Sequence, residues 1–206
     1  DSPMRLTADH ARVALGQTGF TLANADLSIG PQDAPVHLTA ANLDGRMTAN
    51  GFGGKASGAG GRIGTIPLIL EQGNGDWRFD DGALAFRAAM TVRDSQVPAR
   101  FIPLAVPDFA LTMQNSRITA TGTLTAPRNG ATVARTDIVH NLTNGKGHAD
   151  LTVPDLAFGP DLQPEDVTPL ALGVVANVKA KVSGQGRIDW TGSDVTSTRT
   201  LRTDNA

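Results

Sequence analysis

The sequence predicts a mainly β protein built as a mostly antiparallel sheet. Three observations carry that expectation. Apolar and polar residues alternate with period two in run after run, the helical spacing of i, i+3, i+4 and i+7 is rarely met, and Asx-Gly pairs separate the runs. Composition agrees: 23 Gly, 12 Pro and no Tyr among 206 residues, with Thr, Ala and Val gathered in the short runs, is the vocabulary of strands and tight turns.

From the N-terminus, Met4 to Ala8, Ala11 to Leu15 and Gly19 to Ile29 read as strands. Within the third, the alternation slips by one near Asn24, where Phe20 and Leu22 give way to Ala25, Leu27 and Ile29, as a bulge or tight turn requires. Val36 to Ala40 and Arg46 to Ala49 follow, divided by a turn signal at Leu43-Asp44-Gly45. Asn50 to Gly64, dense in Gly and Ala, reads as a flexible loop or weak edge strand, and as the place for a loose boundary (50–64) in what is otherwise one all-β segment, 1–206.

Trp77 to Phe79 leads to a turn at Asp80-Asp81-Gly82 and then to Ala83 to Arg93, one face of which carries Leu84, Phe86, Ala88, Met90 and Val92. Phe109 to Met113 is a further strand. Arg117 to Ala126 is the clearest case, with Ile118, Ala120, Gly122, Leu124 and Ala126 opposite Arg117, Thr119, Thr121, Thr123 and Thr125. Turns at Arg128-Asn129-Gly130 and Asn144-Gly145 precede a strand over His148 to Val153, and Pro154 to Pro164 reads as an extended connection. One segment breaks the pattern. Thr168 before Pro169 reads as an N-cap with proline at N1, and Glu165 and Asp166 suit the positive end of a helix dipole, so a short helix is expected near 165–176. Val178 to Trp190 then alternates Val178, Ala180, Val182, Gly184, Gly186, Ile188 and Trp190 against polar residues; such a strand runs about 40 Å, with a bend at its two glycines. Strand-like Val195 to Thr203 runs into the C-terminus, so the chain reads as part of a longer sheet.

The chemistry is notable for what it excludes. A net charge of -2 with 18% charged residues points away from nucleic acid and toward an apolar or uncharged partner. The absence of Cys excludes a disulfide framework, thiol catalysis and cysteine zinc sites. No apolar run approaches the roughly 18 residues of a membrane span, and Asp1-Ser2-Pro3 does not open a signal peptide, so any membrane anchor is expected outside this chain. Walker A, His-Glu-x-x-His and Gly-x-Ser-x-Gly patterns are missing, and Gly51-Phe52-Gly53-Gly54 and Gly58-Ala59-Gly60-Gly61 share only glycine content with phosphate loops. His10, His37, His140 and His148 lack metal spacing, and the neighbours Asp80 and Asp81, or Glu165 and Asp166, suit turns and caps better than acid/base pairs. No catalytic residue, metal or cofactor is expected. Lys179, Lys181 and Arg187 share a strand face, read either as a solvated outer surface or as a contact for lipid headgroups.

The stretch Gly75-Asp76-Trp77-Arg78-Phe79-Asp80-Asp81-Gly82-Ala83-Leu84, followed by Val92-Arg93-Asp94 and Arg100-Phe101-Ile102-Pro103-Leu104, resembles the YdbH-like branch of AsmA-type proteins. A second block is more specific. It runs from Leu156-Ala157-Phe158 through Leu162-Gln163-Pro164-Glu165-Asp166-Val167-Thr168-Pro169-Leu170 and Gly173-Val174-Val175-Ala176-Asn177-Val178 to Gly184-Gln185-Gly186-Arg187-Ile188-Asp189-Trp190. The resemblance covers about residues 70 to 198. Arg199 stands where the family pattern leads us to expect a small residue.

The resemblance implies the C-terminal part of a larger, inner-membrane-anchored protein of the Gram-negative cell envelope. Its periplasmic part would be an elongated, curved sheet with a hydrophobic inner face, a β-groove that carries phospholipids between inner and outer membranes. Its partners would be phospholipid acyl chains, adjoining segments of the same longer chain and other envelope proteins. The residues expected to face the groove, or the core beneath it, are Leu84, Phe86, Met90, Val92, Ile118, Leu124, Val178, Val182 and Ile188. Such families have also carried a dicarboxylate-transport label, but a dicarboxylate site needs convergent Arg or Lys, and the basic residues here are scattered. Two other functions are compatible with strands alone: a structural or assembly role in which sheet edges pair with partner strands, and a β-helical enzyme or adhesin acting on polysaccharide. The second calls for exposed aromatics, and aromatics make up only 4% of this chain.

Overall fold

The computed structural model describes residues 4–14, 19–32, 35–174 and 177–205. Its strands are β1 (Met4–Thr7), β2 (His10–Ala14), β3 (Gly19–Ile29), β4 (Val36–Met47), β5 (Gly51–Arg62), β6 (Leu68–Asp80), β7 (Ala83–Asp94), β8 (Leu104–Gln114), β9 (Arg117–Thr125), β10 (Thr132–Asn141), β11 (Lys146–Phe158), β12 (Ala180–Thr191) and β13 (Asp194–Asn205). They form one 13-stranded antiparallel sheet, in which β3 to β13 follow chain order and β1 and β2 pair in turn with β3 to make one edge. The outer strands do not close on one another, so the sheet is open.

A transverse row of irregularities gives the sheet its curvature. Asn24 in β3 is left-handed (φ 51) and its side chain donates to Asp9, between β1 and β2, at 2.8 Å. The row continues as register shifts at Gly58 in β5, Gln72 and Gly73 in β6, Pro107 and Asp108 in β8, Val133 in β10 and Pro154 and Asp155 in β11. At the β8 step the Asp108 carboxylate takes over the ladder, accepting from the Thr123 N–H and hydroxyl, each at 2.7 Å. Each such step reverses which residues face inward and bends its strand. Aligned across neighbouring strands, the steps fold the whole sheet along one line.

The fold brings distant ends together. The β5–β6 connection reaches the far half of the sheet, where Thr65 donates to the Gly192 carbonyl at 2.7 Å and a Cβ on Gly64 would lie 3.1 Å from the His140 ring. A Cβ on Gly30, in the β3–β4 connection, would similarly lie 3.3 Å from the Leu142 carbonyl oxygen. Between these layers sits the main core, which includes Ile29, Val36, Ile63, Val92, Val106, Ile118, Ile138, Leu142, Leu156 and Trp190, all buried.

Four expectations need correcting. The expected helix near 165–176 is absent from the described residues: Pro164–Asp166 and Pro169–Ala171 form two 3-10 turns, while Val175 and Ala176 lie outside the description. The cap itself forms, since the Thr168 hydroxyl accepts from the Leu170 N–H at 3.2 Å. The helix stops because Leu170, Leu172 and Val174 stay exposed, so propagation gains no buried face, and Gly173 turns the chain at φ 73. Gly51 to Arg62 is neither loop nor edge but an internal strand, β5, paired on both sides. Its glycines admit backbone: a Cβ on Gly54 would strike the Asp44 carbonyl and one on Gly61 the His37 carbonyl. Leu43-Asp44-Gly45 is likewise not a turn but part of β4. Pro154 to Phe158, expected as a connection, belongs to β11.

The top of the core is covered by the β7–β8 connection, and Asp94 anchors it. The buried Asp94 carboxylate accepts from Arg100 Nε at 2.6 Å and Nη2 at 3.0 Å, and from the backbone N–H groups of Gln96 and Arg100 at 3.0 and 2.8 Å. Burial works against its ionisation, but these hydrogen bonds outweigh it and hold the carboxyl below the usual carboxylate range. The anchored loop then docks on the segment after β11: the Ile102 N–H donates to the Val167 carbonyl at 3.0 Å and the Thr168 hydroxyl donates to the Arg100 carbonyl. Replacing Asp94 with Ala is expected to cost about 2–3 kcal/mol in urea unfolding, because it orphans several donors at once. In the native chain this contribution is full above the ordinary carboxylate pKa and is lost as pH falls toward the depressed value; D94A should lack that acid-dependent part.

Candidate functional site: an open apolar groove

One face of β1 and β3 to β8 is not covered by the core and bounds an open cavity of about 500 Å³. Leucines and methionines form much of its wall: Met4 and Leu6 on β1, Leu22 and Leu27 on β3, Leu38 and Leu43 on β4, Leu70 on β6, Leu84 and Met90 on β7, Leu111 and Met113 on β8. Five aromatic side chains, from a total of seven Phe and two Trp, join them: Phe20, Trp77, Phe79, Phe86 and Phe109. The floor is shallow in side chain, made by Ala25, Ala40, Ala56, Ala59 and Gly60. Thr39 is the one polar residue in this lining and no charged side chain contributes to it.

Local sequence explains how the wall is built. Phe20 and Leu22, and Trp77 and Phe79, are spaced by two and so project to the same side of their strands. Phe20 on β3 and Trp77 on β6 meet above β4 and β5 with ring centroids 6.0 Å apart, which they can do because position 45 is glycine: a Cβ there would lie 2.5 Å from the Phe20 ring and 2.7 Å from the Trp77 ring. Trp77 spends its only polar atom on the sheet, donating Nε1–H to the Asp44 carbonyl at 2.7 Å, so its ring leaves no unmet hydrogen bond in the groove. Phe86 and Phe109 pack edge to face at 6.3 Å and mark where the groove meets the core.

Eight of the nine residues expected from sequence are divided between two environments, and the ninth, Val178, lies in neither. Leu84, Phe86 and Met90 line the cavity. Val92 and Ile118 lie in the packed core, 3% and 0% exposed. Leu124, Val182 and Ile188 are half-buried against that core and do not reach the cavity. Val178 precedes β12, where its N–H donates to the Gln163 amide oxygen at 2.8 Å and its carbonyl accepts from the same amide at 3.2 Å. Among the lining residues that sequence reasoning left out are Met4 and Leu6, Phe20 and Leu22, Trp77 and Phe79, and Phe109, Leu111 and Met113. The signal available for these was the i, i+2 spacing of large apolar residues in four further strands, β1, β3, β6 and β8.

The basic side chains of the β12 region lie away from the groove lining. Arg187 is bound by Asp150 at 2.9 Å and Asp189 at 3.0 Å, Lys181 is exposed, and Lys179 lies before β12. His140 is fully buried, accepting at Nδ1 from Trp190 Nε1–H at 3.0 Å, and burial lowers its pKa. Among the described residues, no three His, Asp or Glu side chains converge as a metal site would require, and no helix is long and apolar enough to cross a membrane.

An open sheet with an apolar concavity of this kind suits a ligand with an apolar body. The family comparison agrees: the YdbH-like model, described as intermembrane phospholipid transport protein YdbH, matches residues 1–206. The chain belongs to the YdbH-like family. That places it in a family of phospholipid transport between membranes rather than of enzymes. The match extends over the first 70 residues of the YdbH-like chain as well, where β1 to β5 and the start of β6 supply much of the groove. Neither the curated proteins nor the solved structures give a match.

Proposed function

We propose that the YdbH-like chain is one segment of a periplasm-spanning bridge and carries phospholipid with its acyl part lying in this groove. The supporting observation is the lining itself, a wall of Leu, Met, Phe, Trp and Ala with no charge in it. Exposing an acyl chain of about 15 methylenes to water costs about 12 kcal/mol, which makes free diffusion between membranes slow. A groove removes that cost by replacing water with apolar side chains while the headgroup stays solvated. Because the wall offers no directional bonds, it holds no single chain position tightly, and sliding along it is cheap.

The bridge reading is supported further by the two outer edges of the sheet, formed by β1 with β2 on one side and by β13 on the other, each unpaired on its outer side among the described residues. Adjoining segments of a longer, inner-membrane-anchored chain would continue the sheet there. Transfer of this kind makes and breaks no covalent bond, so a catalytic constellation has no task to perform, and direction would follow from lipid supply and demand. The test is native mass spectrometry of the 206-residue chain purified from a Gram-negative host. Co-purifying phospholipid is expected, displaced by added lysophospholipid; a folded chain that carries no lipid and takes none from vesicles overturns the proposal.

A further inference from the structure

We infer that lipid enters and leaves the groove over an apolar lip, formed by Met47, Phe52 and Phe79 at the ends of β4, β5 and β6, which docks on a lipid bilayer. The inference rests on reading the groove as a lipid site and adds the place where lipid crosses between that site and a membrane.

Strand register carries the argument. Met47 lies opposite Phe52, Phe52 opposite Phe79, Phe79 opposite Leu84 and Leu84 opposite Met113, one unbroken row across β4 to β8. Residues directly opposite in an antiparallel sheet share a face, so the whole row lies on the groove face, which Phe79, Leu84 and Met113 line. Exposure marks where wall becomes lip. Leu84 and Met113 are half-buried, whereas Phe79, Phe52 and Met47 are 41%, 40% and 58% exposed. Met47 and Phe52 do not line the cavity, yet the Phe52 ring packs edge to face on the lining residue Phe20 at 6.1 Å. A tail sliding along the wall therefore meets continuous apolar surface out to the rim.

The lip is also braced. Its two turns are tied side by side, since the Thr48 hydroxyl donates to the Asp80 carboxylate at 3.0 Å, and Arg78 pairs with the same carboxylate at 3.2 Å. Over residues 46–53 and 78–83 the charged side chains are Arg46, Arg78, Asp80 and Asp81, so the rim has no net charge. Large exposed apolar side chains on a rim without net charge suit the boundary between headgroups and acyl chains, where they bury without help from anionic lipid. A bridge between membranes needs such a contact, because a tail that leaves the bilayer away from it passes through water.

The test uses the 206-residue chain with vesicles of phosphatidylethanolamine and phosphatidylcholine that carry a pyrene-acyl phosphatidylcholine. Excimer emission falls as labelled lipid moves to the protein, so one trace gives both the rate and the final level of loading. Met47→Ser combined with Phe52→Ser is expected to reach the native level about tenfold more slowly, since a lip lowers the barrier to transfer and leaves the equilibrium alone. Leu172→Ser removes a side chain that is 74% exposed but lies outside the row, after β11, and should load at the native rate. A native rate in the double variant, or equal slowing in Leu172→Ser, would overturn the lip. So would a lower final level in the folded double variant, which would put Met47 and Phe52 in the seat itself. No transfer to the folded native chain would overturn the lipid reading as well. If the double variant fails to fold, Met47→Asp alone, at the most exposed position of the row, decides in the same way.

Discussion

A carboxylate placed at Leu84 is expected to abolish lipid binding and leave the protein folded, whereas the same change at Ile118 is expected to unfold it. The two residues look alike in the sequence, each an aliphatic side chain on the inward face of an alternating strand. Their surroundings differ. Leu84 is half-buried on the wall of the open cavity, so in the empty protein a glutamate at that position keeps its water. When a tail fills the groove that water must leave, and taking an unpaired carboxylate out of water costs several kcal/mol, enough to reduce binding on the order of a thousandfold. Ile118 is 0% exposed and surrounded by core, so the cost falls on the folded state itself and exceeds about 4–5 kcal/mol, a large part of the stability of a domain this size. Thermal unfolding followed by circular dichroism, together with lipid counts on the same samples, separates the cases. A Leu84→Glu chain that stays folded and binds lipid normally would remove that strand from the site; an Ile118→Glu chain that folds normally would show that the second half of the sheet is open too.

How far the fold could be read from sequence depended on the transverse row of bends. Strands that cross it without changing face were read over nearly their whole length: β7 keeps Leu84, Phe86, Ala88, Met90 and Val92 on one side throughout, and β9 does the same from Ile118 to Leu124. Strands that reverse at the row looked like short strands cut at the reversal. In β4 the inward set passes from Leu38 and Ala40 to Leu43 and Gly45, so the sequence suggested a strand ending at Ala40 and a turn beyond it. In β8 Pro107 and Asp108 hid the first half, and in β11 Pro154 and Asp155 hid the last part. Glycine misled for a different reason. In β5 it marks where the backbones of the neighbouring strands β4 and β6 approach closely, a feature of the pairing that the local composition does not announce. The groove was legible in kind but not in extent: the alternation on β7 pointed to Leu84, Phe86 and Met90, while nothing local distinguishes them from Ile118, because open wall and closed core differ only in what lies across the sheet.

What lies across the sheet at the closed end is the His140 and Trp190 pair, and removing the indole there is expected to cost about 3–5 kcal/mol. Trp190 is 2% exposed and stacks on His140 with centroids 6.1 Å apart. Gly147 stands beside it because a Cβ at that position would run into the ring, and Gly64 of the overlying connection lies against both partners. Trp190→Ala therefore opens a cavity at the seam between the two halves and also removes the donor to His140 Nδ1, adding a buried unmet acceptor to the loss. Trp190→Phe keeps most of the volume and should cost only about 1–2 kcal/mol, the share of the hydrogen bond. Acid should act on the same seam. Because Nδ1 accepts from the indole, the neutral ring carries its proton on Nε2, and a second proton would have to displace that hydrogen bond. Burial holds the folded pKa below the ordinary imidazole value, so the unfolded chain takes up the proton first. Stability is then full above the ordinary value and declines as pH falls from it toward the depressed one. Urea unfolding at a series of pH values should show that decline in the native chain and a flatter profile in His140→Phe over the same window. An unchanged profile in His140→Phe would move the acid sensitivity to another group, and a tryptophan deletion that costs under about 1 kcal/mol would mean that the seam does not hold the two halves together.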